Sequence, residues 1–217
     1  MIRTVKYVDY ELAWSSLHGQ AQPTRMIRLW LKVMFVLTTP IRKVSPNTIT
    51  ISAGVFAFLL MYIATKPQFY WFVALGIFLL GVLDAIDGVI AVRTGKTSSW
   101  GAFLDSFVDR IVDAAIAVAL ILAGASLSVT IIALTMTLVH EYMRARASSV
   151  GYRLIGIVTV AEKPTRIIIG MIAFIAASLV TSRAQQFMTI TAWVWCVLAT
   201  FAVIQLFSVY RRALRRM

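Results

Sequence analysis

The stretch FYWFVALGIFLLGVLDAIDGVIAV, residues 69–92, decides how this chain folds. It carries no charge until Asp84, and it is longer than the about 20 residues that a helix needs to cross the hydrocarbon core of a bilayer. Working outward, apolar runs bounded by Pro, Gly and charge predict five more spans. They are about Ile49–Thr65, closed by Lys66-Pro67, then Gly101–Ala123, Leu127–Ala147, Pro164–Thr181 and Phe187–Tyr210. Composition agrees. Of 217 residues, 60% are hydrophobic and 14% charged, where a soluble domain carries about 25% charged residues. Mean hydropathy is +0.84. A cytosolic nucleic-acid binder is excluded despite the net charge of +12, and no nucleic-acid partner is expected. The expected fold is an all-α integral membrane protein of six transmembrane helices with no large extramembrane domain.

Ahead of the spans, Thr24 to Thr39 places Arg25, Arg28 and Lys32 on one side of a helix and Ile27, Leu31, Met34 and Phe35 on the other. That pattern predicts a cytoplasmic juxtamembrane amphipathic helix lying in the interface. The chain divides into residues 1–44, an N-terminal segment holding this helix, and residues 45–217, the membrane domain. Residues 1–23 contain Asp9 and Glu11 and lack an apolar core, so no cleavable signal peptide is expected. Cys196 is the single cysteine and cannot form an intrachain disulfide.

Basic residues orient the bundle, because cytoplasmic flanks collect Lys and Arg. One set of span ends carries only Lys66 and Arg183. The other carries Arg3, Lys6, Arg42, Lys43, Arg93, Lys96, Arg144, Arg146, Arg153, Lys163, Arg166, Arg211, Arg212, Arg215 and Arg216. Both termini are therefore expected in the cytoplasm, across a cell membrane that the chain crosses several times.

Of nine carboxylates, five fall between positions 84 and 113. An ionisable residue at membrane depth is expensive and marks a functional site. Asp84 and Asp87 are three apart, and Asp105, Asp109 and Asp113 are spaced by four, so each set lies along one helix face. Like charges crowded in one pocket repel unless cations neutralise them. An all-carboxylate set without His or Cys favours Mg²⁺ or Mn²⁺ over zinc, and a pair of such ions suits phosphoryl chemistry. Asp113 reads as a structural neighbour of this set, not a ligand. Gly88, Ala91 and Gly101 leave room for a ligand beside it, or serve helix packing. His140 and Glu141, deep in the fourth span, read as a hydrogen-bonded structural pair.

Asp84-Ala-Ile-Asp87-Gly88-Val-Ile-Ala91 followed by Gly101-Ala-Phe-Leu-Asp105-Ser-Phe-Val-Asp109 resembles the signature of the CDP-alcohol phosphotransferase family, matching seven of its eight fixed positions. The departure is Val92, where the family has arginine; here Arg93 follows, about 100° further round a helix. Lys96 is a substitute phosphate contact in the polar turn behind it. The resemblance implies transfer of a phosphatidyl group from CDP-diacylglycerol to an alcohol, with release of CMP. It implies two Mg²⁺ or Mn²⁺ ions held by Asp84, Asp87, Asp105 and Asp109, with Asp109 also accepting the proton of the attacking hydroxyl. Ser45, Pro46, Asn47 and Thr48 resemble the family segment that contributes to nucleotide binding, and Ser45 or Asn47 doubles as a helix cap. Gly88, Arg93, Ser98 and Gly101 complete the CDP-diacylglycerol site by the same resemblance. A homodimer is implied as well.

Between the fourth and fifth spans, Arg144, Arg146 and Arg166 supply planar forks that suit a phosphate monoester. They predict an acceptor that already carries phosphate, such as inositol phosphate or glycerol 3-phosphate, or else bind anionic lipid headgroups. Tyr142-Met-Arg-Ala-Arg-Ala and Ala161-Glu-Lys-Pro-Thr-Arg166 are similar to the corresponding region of actinobacterial phosphatidylinositol phosphate synthases. An unphosphorylated acceptor, or a small cation transporter built on the aspartates, is the alternative.

Overall fold

The computed structural model describes residues 7–17, 25–152 and 158–215. Arg3, Lys6, Arg153 and Arg216 lie outside the described residues, as does the side chain of Ile27. Eight α-helices carry the described chain: α1 (Tyr7–Leu17), α2 (Arg25–Leu37), α3 (Pro46–Ile63), α4 (Tyr70–Thr94), α5 (Ser99–Leu122), α6 (Leu127–Ser149), α7 (Lys163–Leu179) and α8 (Ala184–Leu214). Short 3-10 turns at Pro67–Phe69 and Thr181–Arg183 precede α4 and α8. No strand occurs among the described residues.

Helix ends follow local chemistry. Pro46 opens α3, where its missing N–H is no loss. Ser98 caps α5 by accepting the Gly101 N–H at 3.0 Å. Gly95, at φ 64°, ends α4 in the left-handed region open to glycine. The Lys96 N–H bonds the Ala91 carbonyl and the Gly95 N–H the Val92 carbonyl, the Schellman pattern.

Helices α3 to α8 form a bundle in which α3 packs on α4 and α5, α4 on α7, α7 on α8, and α8 on α6. Small side chains line the seams: Ala53 and Ala57 on α3, Ala115 and Ala119 on α5, Ala173 and Ala177 on α7, Ala192, Ala199 and Ala202 on α8. Where lipid replaces water, close packing through small residues is what holds helices together. Trp195 fills the interior, its indole N–H donating to Thr137 Oγ1 at 3.0 Å. Large apolar side chains point outward around the bundle, among them Phe58, Phe72, Phe103, Ile132, Ile172 and Phe201. An apolar exterior this extensive belongs in a bilayer, and the chain is an all-α membrane protein. Three segments, Pro46–Ile63, Pro67–Thr94 and Thr181–Leu214, are by length and composition alone sufficient to cross. The other three predicted spans form helices that are shorter or carry charge.

Helices α1 and α2 rest on α4. Tyr10, Leu31 and Met34 share a second small core with Ile49, Ile86, Val89 and Ile90. Burying Leu31 and Met34 stabilises this docking by roughly 1.5–3 kcal/mol each. Leu29, Val33, Val36 and Leu37 form an exposed apolar stripe on α2.

The structure redirects one expectation here. α4 runs past Val92 to Thr94, so Arg93 turns away from the aspartates and is only 7% exposed. Its Nη1 donates to the Phe35 carbonyl and to Thr38 Oγ1, each at 2.6 Å. The guanidinium also stacks 3.7 Å over the Phe35 ring. Arg93 therefore clamps α2 where the sequence reading sets it on the diphosphate. Arg93→Ala is expected to speed amide hydrogen exchange across residues 25–37 by about tenfold or more, as hydrogen bonds to a charged donor contribute roughly 1.5–3 kcal/mol. Unchanged exchange there would remove the clamp.

Candidate active site

Asp84 and Asp87 stand in the second half of α4, and Asp105 and Asp109 in the first half of α5. Carboxylate oxygens of Asp84, Asp105 and Asp109 come within 4.8 Å of one another. Asp87 stays outside this group. It is buried, and Thr50 Oγ1 donates to its Oδ2 at 2.6 Å, with the Pro46 carbonyl 3.1 Å from the same hydroxyl.

A cation already enters the cluster. Lys163, the first residue of α7, brings Nζ to 2.5 Å from Asp84 Oδ1 and also bonds Asp109 Oδ1. Three carboxylates this close need positive charge among them, and the ammonium marks where it goes. An all-oxygen donor set suits a hard divalent ion, so the residues present fit the metal that the sequence implies.

Two clefts meet at this cluster. The first, of about 700 Å³, is lined by Asp84, Asp87 and Asp105 together with Pro46, Asn47, Thr50, Gly88, Lys96, Ser98 and Gly101. Tyr10, Leu31 and Met34 of α1 and α2 close one wall. Burial pushes the Tyr10 phenol up to about 12, keeping that wall uncharged. A Cβ on Gly88 would meet nothing within 4 Å, whereas one on Gly101 would crowd Ser98 Oγ at 3.1 Å and Asn47 Oδ1 at 3.3 Å. Glycine at 88 thus widens the cleft and glycine at 101 lets the start of α5 approach α3. Ser45 takes the N-cap position of α3 but its side chain caps nothing. Ser45 and Thr48 lie outside the lining of this cleft, as does Arg93. Val92, at the family arginine's position, and Lys96 both line it.

The second cleft, of about 500 Å³, lies on the other side of Asp109 and includes Ser106, Arg110, Glu141, Tyr142 and Arg144. Arg110 went unnoticed in the sequence, although it directly follows Asp109. Its Nη1 stands 3.4 Å from Glu141 Oε2 and its Nη2 3.3 Å from Asp113 Oδ2. Its buried Nε has no hydrogen-bond partner among the described residues.

The three expected phosphate arginines part company. Arg144 lines the second cleft and forks onto Glu162, Nη1 to Oε2 at 3.1 Å and Nη2 to Oε1. Arg146 is exposed and outside that lining, with Nη1 3.3 Å from Ser149 Oγ. Arg166 is 2% exposed and already occupied. Its Nε and Nη2 meet Asp113 at 2.9 and 3.2 Å, and Nη1 donates to the Ala161 carbonyl at 2.7 Å. The guanidinium that the sequence reading gave to an acceptor phosphate is buried against a carboxylate instead, because α7 packs its first turn into the bundle. Asp113 has the structural place expected of it. His140 Nδ1 lies 3.5 Å from Glu141 Oε1, while Nε2 pairs with Thr159 Oγ1 at 2.9 Å.

Glu162 closes the segment before α7, accepting the Thr159 N–H at 2.8 Å and its hydroxyl at 2.9 Å. Burial raises its carboxyl, but the Thr159 N–H and the Arg144 guanidinium outweigh that and hold it below the ordinary 4.5. Because the folded value is the lower one, these contacts stabilise fully above pH 4.5 and are lost as pH falls through the depressed value. Protection from hydrogen exchange at residues 158–162, each rate taken relative to that of an unstructured peptide at the same pH, is expected to hold at pH 6 and to fall on acidification below 4.5. In Glu162→Gln that acid-induced step should vanish.

The CDP-alcohol phosphatidyltransferase family profile matches residues 43–204. A phosphatidylinositol phosphate synthase of Streptomyces avermitilis is 32% identical over 183 residues, covering 79% of this chain and 74% of the relative. Another, from Cutibacterium acnes, is 34% identical over 185 residues, 78% of this chain and 82% of the relative. Among solved structures, a Mycobacterium tuberculosis phosphatidylinositol phosphate synthase with CDP-DAG bound superposes with a TM-score of 0.67 at 23% identity, covering 80% of this chain and 92% of that one. The same protein is also known in complex with manganese and citrate. The chain belongs to the CDP-alcohol phosphatidyltransferase family, and it is a membrane transferase of phospholipid biosynthesis.

Proposed function

We propose that this enzyme transfers a phosphatidyl group from CDP-diacylglycerol to inositol phosphate, releasing CMP. One observation carries the reading: the Asp84, Asp105 and Asp109 carboxylates converge where a cleft walled by α1 to α5 meets a second cleft holding Arg110 and Arg144. Donor and acceptor would approach from these two sides. The relatives named as phosphatidylinositol phosphate synthases favour the inositol phosphate acceptor over glycerol 3-phosphate.

In this reading Asp84, Asp87, Asp105 and Asp109 hold two Mg²⁺ or Mn²⁺ ions. Such ions neutralise charge that builds on the transferring phosphorus and the departing CMP. Thr50 orients Asp87 by its hydrogen bond. Asn47, Lys96 and the small Gly88 and Gly101 receive the cytidine diphosphate, and Ser98 holds the start of α5. At the start of α3 the Asn47 N–H is the one offered to the anion, since Pro46 has none and that of Thr48 bonds the Ser45 carbonyl. Asp109 lines the second cleft, next to Asp84 and Asp105 that line the first, and takes the proton of the acceptor hydroxyl. The hydroxyl oxygen bonds to the phosphorus bearing diacylglycerol as the bond to the CMP oxygen breaks. Arg110 and Arg144 take the acceptor's phosphate monoester, with Arg146 at the rim and Arg166 buttressing the cluster through Asp113.

Residues 45–217 form the catalytic domain and cross the bilayer six times in our reading. At 1.5 Å per residue, α5 and α6 reach about 35 Å and α7 about 25 Å, near the ~30 Å of hydrocarbon. Their charges gather at the cluster and leave apolar sides outward. Residues 1–44 form a segment whose α2 lies in the interface, its stripe of Leu29, Val33, Val36 and Leu37 towards the acyl chains and Arg25, Arg28 and Lys32 towards water. Termini and active site face the cytoplasm, following the basic flanks, and two copies associate as the family resemblance implies.

The test is CMP release from CDP-diacylglycerol by the purified protein with Mg²⁺, across inositol phosphate, glycerol 3-phosphate, free inositol and serine. Turnover with inositol phosphate and a raised KM for it in Arg144→Ala support the reading. Faster turnover with glycerol 3-phosphate or with an unphosphorylated alcohol overturns the acceptor assignment.

A further inference from the structure

The acidic cluster is assembled by helices that scarcely touch each other. α4 and α5 both pack on α3 but meet only marginally, so Asp84 and Asp109 face one another across a gap. Lys163 fills it from a third helix. Its side chain is 16% exposed, and its one ammonium hydrogen bonds to a carboxylate from each of the other two helices. Two of the three convergent carboxylates are thus engaged by a cation that belongs to the chain.

The ammonium sits on Asp84 and Asp109, two of the three carboxylates that a divalent ion would use, and two cations drawn to the same cluster repel one another. Lysine carries its charge at the end of a flexible four-carbon stem. It can therefore withdraw without moving α7, whose first turn is anchored independently by Arg166 on Asp113. We propose that Lys163 is a tethered counter-cation, which holds the aspartates together in the metal-free enzyme and is expelled from the cluster when a divalent ion binds. Lys163 then sets metal affinity by competition. The proposal rests on the metal reading above.

Two measurements on the detergent-solubilised full chain test it, neither of them turnover. In the first, brief acetylation by acetic anhydride is mapped by mass spectrometry with and without Mn²⁺. Lys163 is expected to label slowly alone and at least severalfold faster with Mn²⁺, while Lys32 and Lys66 keep their rates. In the second, Mn²⁺ affinity is read from the paramagnetic resonance of free Mn²⁺. Lys163→Met should bind at least about tenfold more tightly than wild type, a small part of the Coulomb energy of neighbouring unit charges. If Lys163→Met does not fold, the labelling of the wild type decides. Wild type that binds no Mn²⁺ overturns both the metal reading and this proposal. Wild type that binds Mn²⁺ with Lys163 labelling unaltered overturns the proposal alone.

Discussion

Asp105→Asn is expected to lower CMP release by about 10²–10³-fold, the size of effect seen when one electrostatic contact to a developing charge is removed, while the protein still enters the membrane and purifies as a folded species. The substitution preserves shape and removes one negative charge. Among the described residues Asp105 has no ion pair or hydrogen bond, unlike Asp84 and Asp109, which Lys163 holds, and Asp87, which Thr50 holds. Half-buried, and with Lys163 and Arg110 near it but not bonded to it, Asp105 should lose function with its charge and leave stability almost intact. Turnover and thermal unfolding measured on one preparation check both halves. A fully active Asp105→Asn would sink the assignment of this carboxylate to a metal.

Asp113→Asn should behave in the opposite way. Asp113 and Arg166 are each 2% exposed and joined by two hydrogen bonds. Removing one partner leaves the other charge buried, which costs about 3–5 kcal/mol. Arg166→Met is expected to lose a similar amount. The double variant Asp113→Leu, Arg166→Met should recover much of the loss, because replacing a buried ion pair by apolar side chains is often neutral or stabilising. Thermal unfolding of the wild type, Asp113→Leu, Arg166→Met and the double variant in one detergent supplies the cycle. The pair also separates two roles for Arg166. If its task is to bind acceptor phosphate, Arg166→Met keeps the fold and raises the acceptor KM; if it is the buried partner of Asp113, stability falls first. Additive losses in the double variant would show that the two side chains act independently.

The helices were largely legible because lipid imposes a simple rule on sequence: apolar runs of sufficient length, broken by Pro, Gly and charge. Residues 69–92 fell within one helix to about two residues at each end. Helical spacing plus the cost of charge at membrane depth point to Asp84, Asp87, Asp105 and Asp109 together; Asp84, Asp105 and Asp109 converge, while Asp87 is held apart by Thr50. α1 was not foreseen, since its short mixed sequence has no strong period and its buried residue, Tyr10, is held by contacts with α2 and α4.

Arginines were the least legible part. Arg93, Arg144, Arg146 and Arg166 all read alike in the sequence as basic groups near one end of the bundle. In the structure Arg93 clamps α2, Arg166 is sealed against Asp113, Arg146 is exposed, and Arg144 lines the second cleft beside an unsuspected Arg110. Lys163, read as one more topology charge, reaches into the acidic cluster. The sequence alone determined the membrane class, helices α2 to α8 and the clustering of carboxylates on α4 and α5, because those depend on local period and on the scarcity of carboxylates. Only the tertiary structure decided which cation meets which carboxylate. Long basic side chains reach several ångströms in any direction, and their partners come from helices up to 79 positions apart in sequence.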